Sequence, residues 1–119
     1  MKIRDHYTCP LEFTHDITRG KWKPMILWQL GKGSASLSQL EDAIEGITQK
    51  MLLEHLKDLM EFNVVDKTTY EGYPLKVEYH LTERGRKLLE AVVIMQEIGV
   101  QLMQENGMEE FLRSKGFIE

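Results

Sequence analysis

Between Leu37 and Leu81 the hydrophobic residues change their period, and that change limits the folds open to this chain. From Leu37 to Glu61 they recur at helical spacing: Leu37, Leu40 and Ile44, then Leu52, Leu56 and Leu59. From Val64 onward, "VVDKTTY" and "LKVEYHL" are rich in β-branched and aromatic residues, with turn chemistry in the "EGYP" between them. The two helical runs are separated only by Glu45-Gly46-Ile47. Two helices joined by a turn of about three residues containing a glycine form a helix-turn-helix. A hairpin directly after the second helix is a wing. The expected fold is therefore mainly α (α+β): a winged helix-turn-helix with a two-stranded β-hairpin wing.

Local signals set the expected boundaries. Ser36 and Gln39 form a capping-box pattern ahead of a short helix over about 37–44. Thr48 is a good N-cap for the next helix, and Asn63 can end it in the left-handed conformation. The helix-turn-helix thus covers about 37–62 and the wing about 64–81. Upstream, a first helix over about 9–18 begins at "CPLEF", where Pro10 suits the first turn and Glu12 complements the helix N-terminus. "RGK" breaks it, and "WKPMILWQL" forms a second helix with Pro24 in its first turn. Thr82 caps a long helix to about Glu105, Asn106-Gly107 stops it, and a short helix follows near 108–115. There are no repeats, linkers or low-complexity tracts, so residues 1–119 are read as one domain.

At about 100° per residue, Lys50, Glu54, Lys57 and Glu61 share one arc of the second helix, and Leu52, Leu56 and Leu59 share another. The leucines want a core. The polar arc suits DNA, with Thr48 and Gln49 at the helix start where a recognition helix meets base edges. Glutamine pairs bidentately with adenine, lysine reaches guanine or phosphate, and Glu54 can accept from cytosine N4. The competing reading is a solvated face in which Glu54 pairs with Lys50 or Lys57. Lys67 and Lys76 lie near the ends of the hairpin, where cations grip phosphate or enter the minor groove. Strand-edge lysines also simply discourage aggregation. Lys21 and Lys23 are further candidates for phosphate contact, whereas Trp22 and Trp28 are expected in the core.

The remaining features narrow the class. The net charge is −4, a mild argument against nucleic acid that the placement of cations can override. That balance, with Glu41, Asp42, Glu45 and Glu54 around the helix-turn-helix, keeps open a winged-helix interaction module that never binds DNA. No run of about 18 apolar residues suggests a membrane span, and "MKIRDHYTCP" has no signal-peptide core, so the expected location is the cytoplasm. One cysteine allows no intrachain disulfide. His6, His15, His55 and His80 show no metal-ligand spacing with Cys9, so no metal is expected. No phosphate loop, dinucleotide fingerprint or oriented nucleophile–base pair appears. The expectation is a non-enzyme without a cofactor, and no motif specifies a small-molecule effector.

Several motifs together resemble one family. "CPLEFTHDITRGKWKPMILWQL", "GITQKMLLEHLKDL" and "YPLKVEYHLTERGRKL" are similar, in order and spacing, to HxlR-type transcriptional regulators, relatives of the MarR group. The similarity runs from about Cys9 to Gly99. It implies a winged-helix fold, a homodimer and sequence-specific binding to double-stranded DNA, with an inverted-repeat operator following from the two-fold symmetry. It also places a basic residue at Lys76 and predicts burial of the tryptophans. "THDITRG" departs from the apolar end expected of the first helix, and Thr48 stands where serine is usual. Some members use a cysteine at the position of Cys9 to sense oxidants or electrophiles, so Cys9 is a redox-sensing candidate. The competing reading is a small buried hydrophobe.

The long helix also argues for a dimer. It would be about 36 Å long at 1.5 Å per residue. Leu88, Leu89, Val92, Val93, Met95, Ile98, Leu102 and Met103 form a band wider than one packing stripe. One edge can dock on the chain's own core. The other, with Ile94 and Met95, needs a cover. Leu11, Phe13 and Ile17 of the first helix and Phe111, Leu112 and Phe117 of the last are candidate partner surface, making about 9–18 and 82–115 the dimerisation helices.

Overall fold

Three hydroxyl side chains start three helices at the positions their caps foretell. In the computed structural model, which describes residues 1–119, the elements are α1 (Pro10–Thr18), α2 (Trp22–Leu30), α3 (Leu37–Ala43), α4 (Gln49–Glu61), β1 (Val65–Tyr70), β2 (Lys76–Leu81), α5 (Glu83–Glu105) and α6 (Glu109–Ser114). Ser36 Oγ accepts from the Gln39 N–H at 3.2 Å, while Gln39 Oε1 accepts from the Ser36 N–H at 2.8 Å. Thr48 Oγ1 accepts from the Met51 N–H at 3.2 Å, and Thr82 Oγ1 from the Gly85 N–H at 3.0 Å. Each satisfies a donor the helix itself cannot, worth about 1 kcal/mol.

The core gathers one face from each helix of the head. Ile26 and Leu27 of α2, Leu40 of α3, and Leu52, Leu56 and Leu59 of α4 are essentially solvent-free, as are Ile44, Val64 and Val65. Tyr79 and Leu81 close it from β2, and Leu88, Leu89 and Val92 of α5 pack against it. The hairpin is antiparallel, with Val65 opposite Leu81 and Tyr70 opposite Lys76. A third, one-residue strand joins it: the Ala35 N–H donates to the Tyr79 carbonyl at 3.0 Å, and the Tyr79 N–H to the Ala35 carbonyl at 2.8 Å. A single residue is too short to show a period, so no sequence pattern marks this bridge.

One junction joins the head to the long helix. Asn63 adopts the left-handed conformation (φ 57°) and ends α4. The next carbonyl, that of Val64, accepts from the Thr82 N–H at 3.1 Å. The Thr82 hydroxyl also points at the carbonyls of Asn63 and Val64, 2.6 and 3.1 Å away. Gly85 follows one turn into α5, so close that an added Cβ would fall 2.1 Å from the Val64 oxygen.

The first helix is attached differently. Asp16, the only buried residue of α1, accepts from Arg4 Nε at 2.7 Å, Arg4 Nη2 at 2.9 Å and the Tyr7 hydroxyl at 2.9 Å. Hydrogen bonding to Arg4 holds its carboxyl below the usual carboxylate range, against the opposing effect of burial. Phe13 meets the rings of Tyr7 at 5.1 Å and Phe62 at 5.8 Å. Ile17 packs on the core, and Leu112 is buried. These three of the expected partner-facing residues are therefore used within the chain; Leu11, Phe111 and Phe117 stay exposed. Trp22 and Trp28 are half-buried rather than fully internal. Trp22 packs on the core, and Trp28 lines a cavity between α2, α5 and α6.

Gly85→Ala tests the junction. The new methyl group would meet backbone, which cannot swing aside, so the overpacking cost should be about 1–3 kcal/mol. A lower urea midpoint with an unchanged slope is the expected result.

Candidate nucleic-acid interface

Helix α4 turns one face to the core and the other to solvent. Gln49, Lys50, Leu53, Glu54, Lys57 and Glu61 are all exposed, as is the N-cap Thr48. Of the side chains that sequence reading selects there, none is buried. The ion pairs of the competing reading are not formed: Lys50, Glu54 and Lys57 make no salt bridge, while Glu61 meets the Met1 amine at 3.2 Å. The lysines of this face are uncommitted. Leu53, 43% exposed, is the residue that reading of the arc missed. Four positions after Gln49, it lies about 40° from it on the helix, within the exposed sector. Apolar side chains in a major groove meet the thymine methyl.

The hairpin does not present its two lysines together. Residues directly opposite on an antiparallel pair share a face. Lys67 lies opposite Tyr79, so it shares the side of the sheet that carries buried Tyr79. Lys76 lies opposite Tyr70, on the other side. Its ammonium sits 5.5 Å from the Tyr70 ring centre and 3.5 Å from Glu78 Oε1. A cation–π contact and an exposed ion pair of this kind are each weak, so Lys76 can exchange them for phosphate.

Lys23 is a correction. Expected at phosphate, it is buried, with Nζ 3.2 Å from Asp58 Oδ2 on α4. Its side chain is buried and its charge is spent on that pair. Lys21 remains exposed over the Trp22 ring at 4.5 Å. Cys9 is a second correction: it is exposed, not a buried hydrophobe, and it occupies the N-cap of α1.

The long helix carries a stripe that nothing in the chain covers. Ile94 (56% exposed), Met95 (63%), Ile98 (49%) and Leu102 (53%) follow one another at helical spacing. Beside them lies the cavity of about 890 Å³, lined among others by Met25, Trp28, Met95, Met103 and Phe117. At its rim, Lys115 Nζ bridges to Glu45 Oε2 in the helix-turn-helix turn at 3.0 Å. No helix is long and apolar enough to cross a membrane.

A helix-turn-helix whose second helix exposes a polar face, followed by a hairpin and a long C-terminal helix, defines a winged-helix regulator. The profile of the HxlR-like helix-turn-helix family matches residues 17–107. MalR of Fusobacterium mortiferum is 40% identical over 107 residues, covering 89% of this chain and 97% of that one. Among solved structures, the redox regulator HypR in its reduced form superposes with a TM-score of 0.75 at 36% identity, over 78% of this chain and 92% of its own. The diamide-treated transcriptional regulator YodB from B. subtilis gives 0.68 at 32%, over 81% and 96%. The chain belongs to the HxlR-like helix-turn-helix family and is a transcriptional regulator. Its relatives favour DNA binding over the interaction-module reading.

Among the shifted groups of α4, His55 is the one that bears on stability near neutral pH. His55 is half-buried, and its Nδ1 is buried without a hydrogen bond. Burial, and then the nearby Lys23 charge, hold its pKa below the ordinary 6.5. A histidine depressed in the folded state binds fewer protons folded than unfolded, so stability rises with pH through that window. Stability should therefore fall as the pH is lowered through and below the ordinary histidine value. Urea titrations of His55→Gln should show a flatter dependence there; an unchanged one would place the effect elsewhere. Glu12, Asp16, Glu45 and Asp58 are depressed carboxylates and act at lower pH.

Proposed function

We propose that the protein works as a homodimer on an inverted-repeat operator, with Thr48, Gln49, Lys50, Leu53, Glu54 and Lys57 of α4 in the major groove and Lys67 and Lys76 of the wing at the backbone. The observation that carries this reading is the free state of the α4 face: an amphipathic helix with its leucines buried and its lysines unpaired, at the exposed edge of a winged head. The two-fold partner follows from the stripe on α5. Four large apolar side chains in line are costly to leave in water, and a second copy of the same stripe covers them by symmetry. Half-sites are then centred about 10 bp apart, or a multiple of that.

Gln49→Ala and Lys50→Ala should each reduce discrimination between operator and random DNA by roughly 1–3 kcal/mol. Lys76→Ala should weaken binding to all sequences and lower the salt slope by about one. In sedimentation, Ile98→Glu with Leu102→Glu should give a 13.9 kDa species that is folded but fails on the palindrome. Operator selection from random DNA, followed by these titrations, tests the reading. Intact discrimination in both α4 variants would refute the face assignment, and a wild-type monomer would refute the dimer.

Cys9 is the proposed sensing residue. It is exposed and is the sole cysteine, so an oxidised disulfide can only join it to a thiol of another molecule. HypR, described as a redox regulator, and YodB, solved after diamide treatment, support this role. Diamide should change operator affinity in the wild type and leave Cys9→Ser unaffected. An equal response in both proteins would assign Cys9 no part in sensing.

A further inference from the structure

The tip of the wing is apolar, where a cation would be the simplest device for meeting DNA. Between the last residue of β1 and the first of β2 run Glu71, Gly72, Tyr73, Pro74 and Leu75. Tyr73 is fully exposed and Leu75 is 69% exposed; Tyr70, at the base of the tip, is 47% exposed. Outside α1, where Leu11 is 75% exposed, no large apolar side chain is more exposed than Tyr73 and Leu75. The tip carries no lysine or arginine of its own, and its one charge is Glu71. The nearest cation, Lys76, stands at the base of the hairpin tip over the Tyr70 ring.

A solvent-facing Tyr-Pro-Leu has a physical cost that local structure does not repay. The three residues lie beyond the ladder, which ends with Tyr70 opposite Lys76, and none of them belongs to the core cluster. They are a compact wedge on a two-stranded lever, with Lys76 at the base of the tip and Lys67 further down β1 on the other face. Proteins that enter the minor groove often insert such apolar wedges between base steps, unstacking them and bending the duplex. An aromatic ring recovers part of the lost stacking with its own face.

We propose that Tyr73 and Leu75 form a minor-groove wedge that unstacks a base step beside each half-site and bends the operator. This rests on the DNA-binding reading above and extends it. The wedge adds specificity that no hydrogen bond supplies: pyrimidine–purine steps (TA, CA/TG) deform most readily, so they should flank the bases read by α4. Lys67 and Lys76 hold the hairpin to the strands while the tip enters.

The experiment compares the wild type, Tyr73→Ala with Leu75→Ala, Tyr73→Phe, and Lys50→Ala on the selected operator. Binding, DNA bending by circular permutation and permanganate reactivity of flanking thymines are read together. The wild type should bend the operator and make one thymine per half-site hyperreactive. The double variant should lose both signals and bind about tenfold more weakly with an unchanged salt slope. Tyr73→Phe, which keeps the ring, should retain them. Because neither Tyr73 nor Leu75 belongs to the core cluster or to the hydrophobic residues packed on it, thermal melts of the double variant should match the wild type. Wild-type binding without bending or hyperreactivity overturns the wedge. So does a double variant that binds and bends as the wild type does, including one that has lost capture of a protein partner. If Lys50→Ala binds as tightly and as selectively as the wild type, the α4 reading fails instead, and the two failures are distinguishable.

Discussion

The carbonyl of Val64 is the point on which the architecture turns. It accepts the Thr82 N–H, faces the Thr82 hydroxyl and abuts the bare backbone of Gly85. That oxygen lies between the end of α4 and the first residue of β1, and it seats the start of α5. A residue with any side chain at position 85 would push α5 away from the head. The direction of the long helix relative to α4 is therefore set by backbone contact, which has no rotamers to exchange. On the proposed dimer this matters because the two α4 helices would have to sit about one duplex turn apart, or a multiple of that. An angle fixed at this junction is carried along the 23 residues of α5.

Electrostatics here depend on placement, not on the total. The chain is net acidic, and part of that acidity near the head is occupied: Asp58 by Lys23 and the Met1 amine, Glu45 by Lys115, Glu78 by Lys76, while Glu41, Asp42 and Glu54 make no ion pair. Lys50 and Lys57 have no such partner. The exposed face of α4 therefore keeps available cations while the rest of the surface keeps the protein apart from polyanions in general. Such a balance favours specific over indiscriminate binding, because non-specific affinity scales with the number of phosphates neutralised.

The helices and hairpin were legible in the sequence because each carried its own punctuation. Ser36, Thr48 and Thr82 are caps, Asn63 is a left-handed terminator, and the period changes at Val64. The uncovered stripe of α5 was legible from its width. What the sequence could not show was which polar residues pair across distance. Lys23 and Lys21 look alike in "GKWKP", and only the fold places Asp58 35 residues on against the first of them. Likewise Phe13 and Leu112 carry no mark that separates packing within the chain from packing between chains. Ala35 joins the sheet through two backbone bonds and no side-chain pattern, so nothing in its residue type announced it. The assignment of α4 side chains to bases rests on their position on the helix.

The manner of attachment of α1 gives it a separate thermodynamic character. Its one fully buried side chain is a carboxylate held by Arg4 and Tyr7, and its hydrocarbon contacts through Phe13 and Ile17 are partial. Detaching such a helix exposes little apolar area. Its opening should carry a small heat-capacity change and respond weakly to denaturant, while responding to ionic strength. The amides of α1 would then exchange with solvent through a local opening at a nearly constant rate across denaturant concentrations where the core still opens only by global unfolding. Cys9, at the head of that helix, sits on the part of the molecule that can be moved at the least expense to the fold.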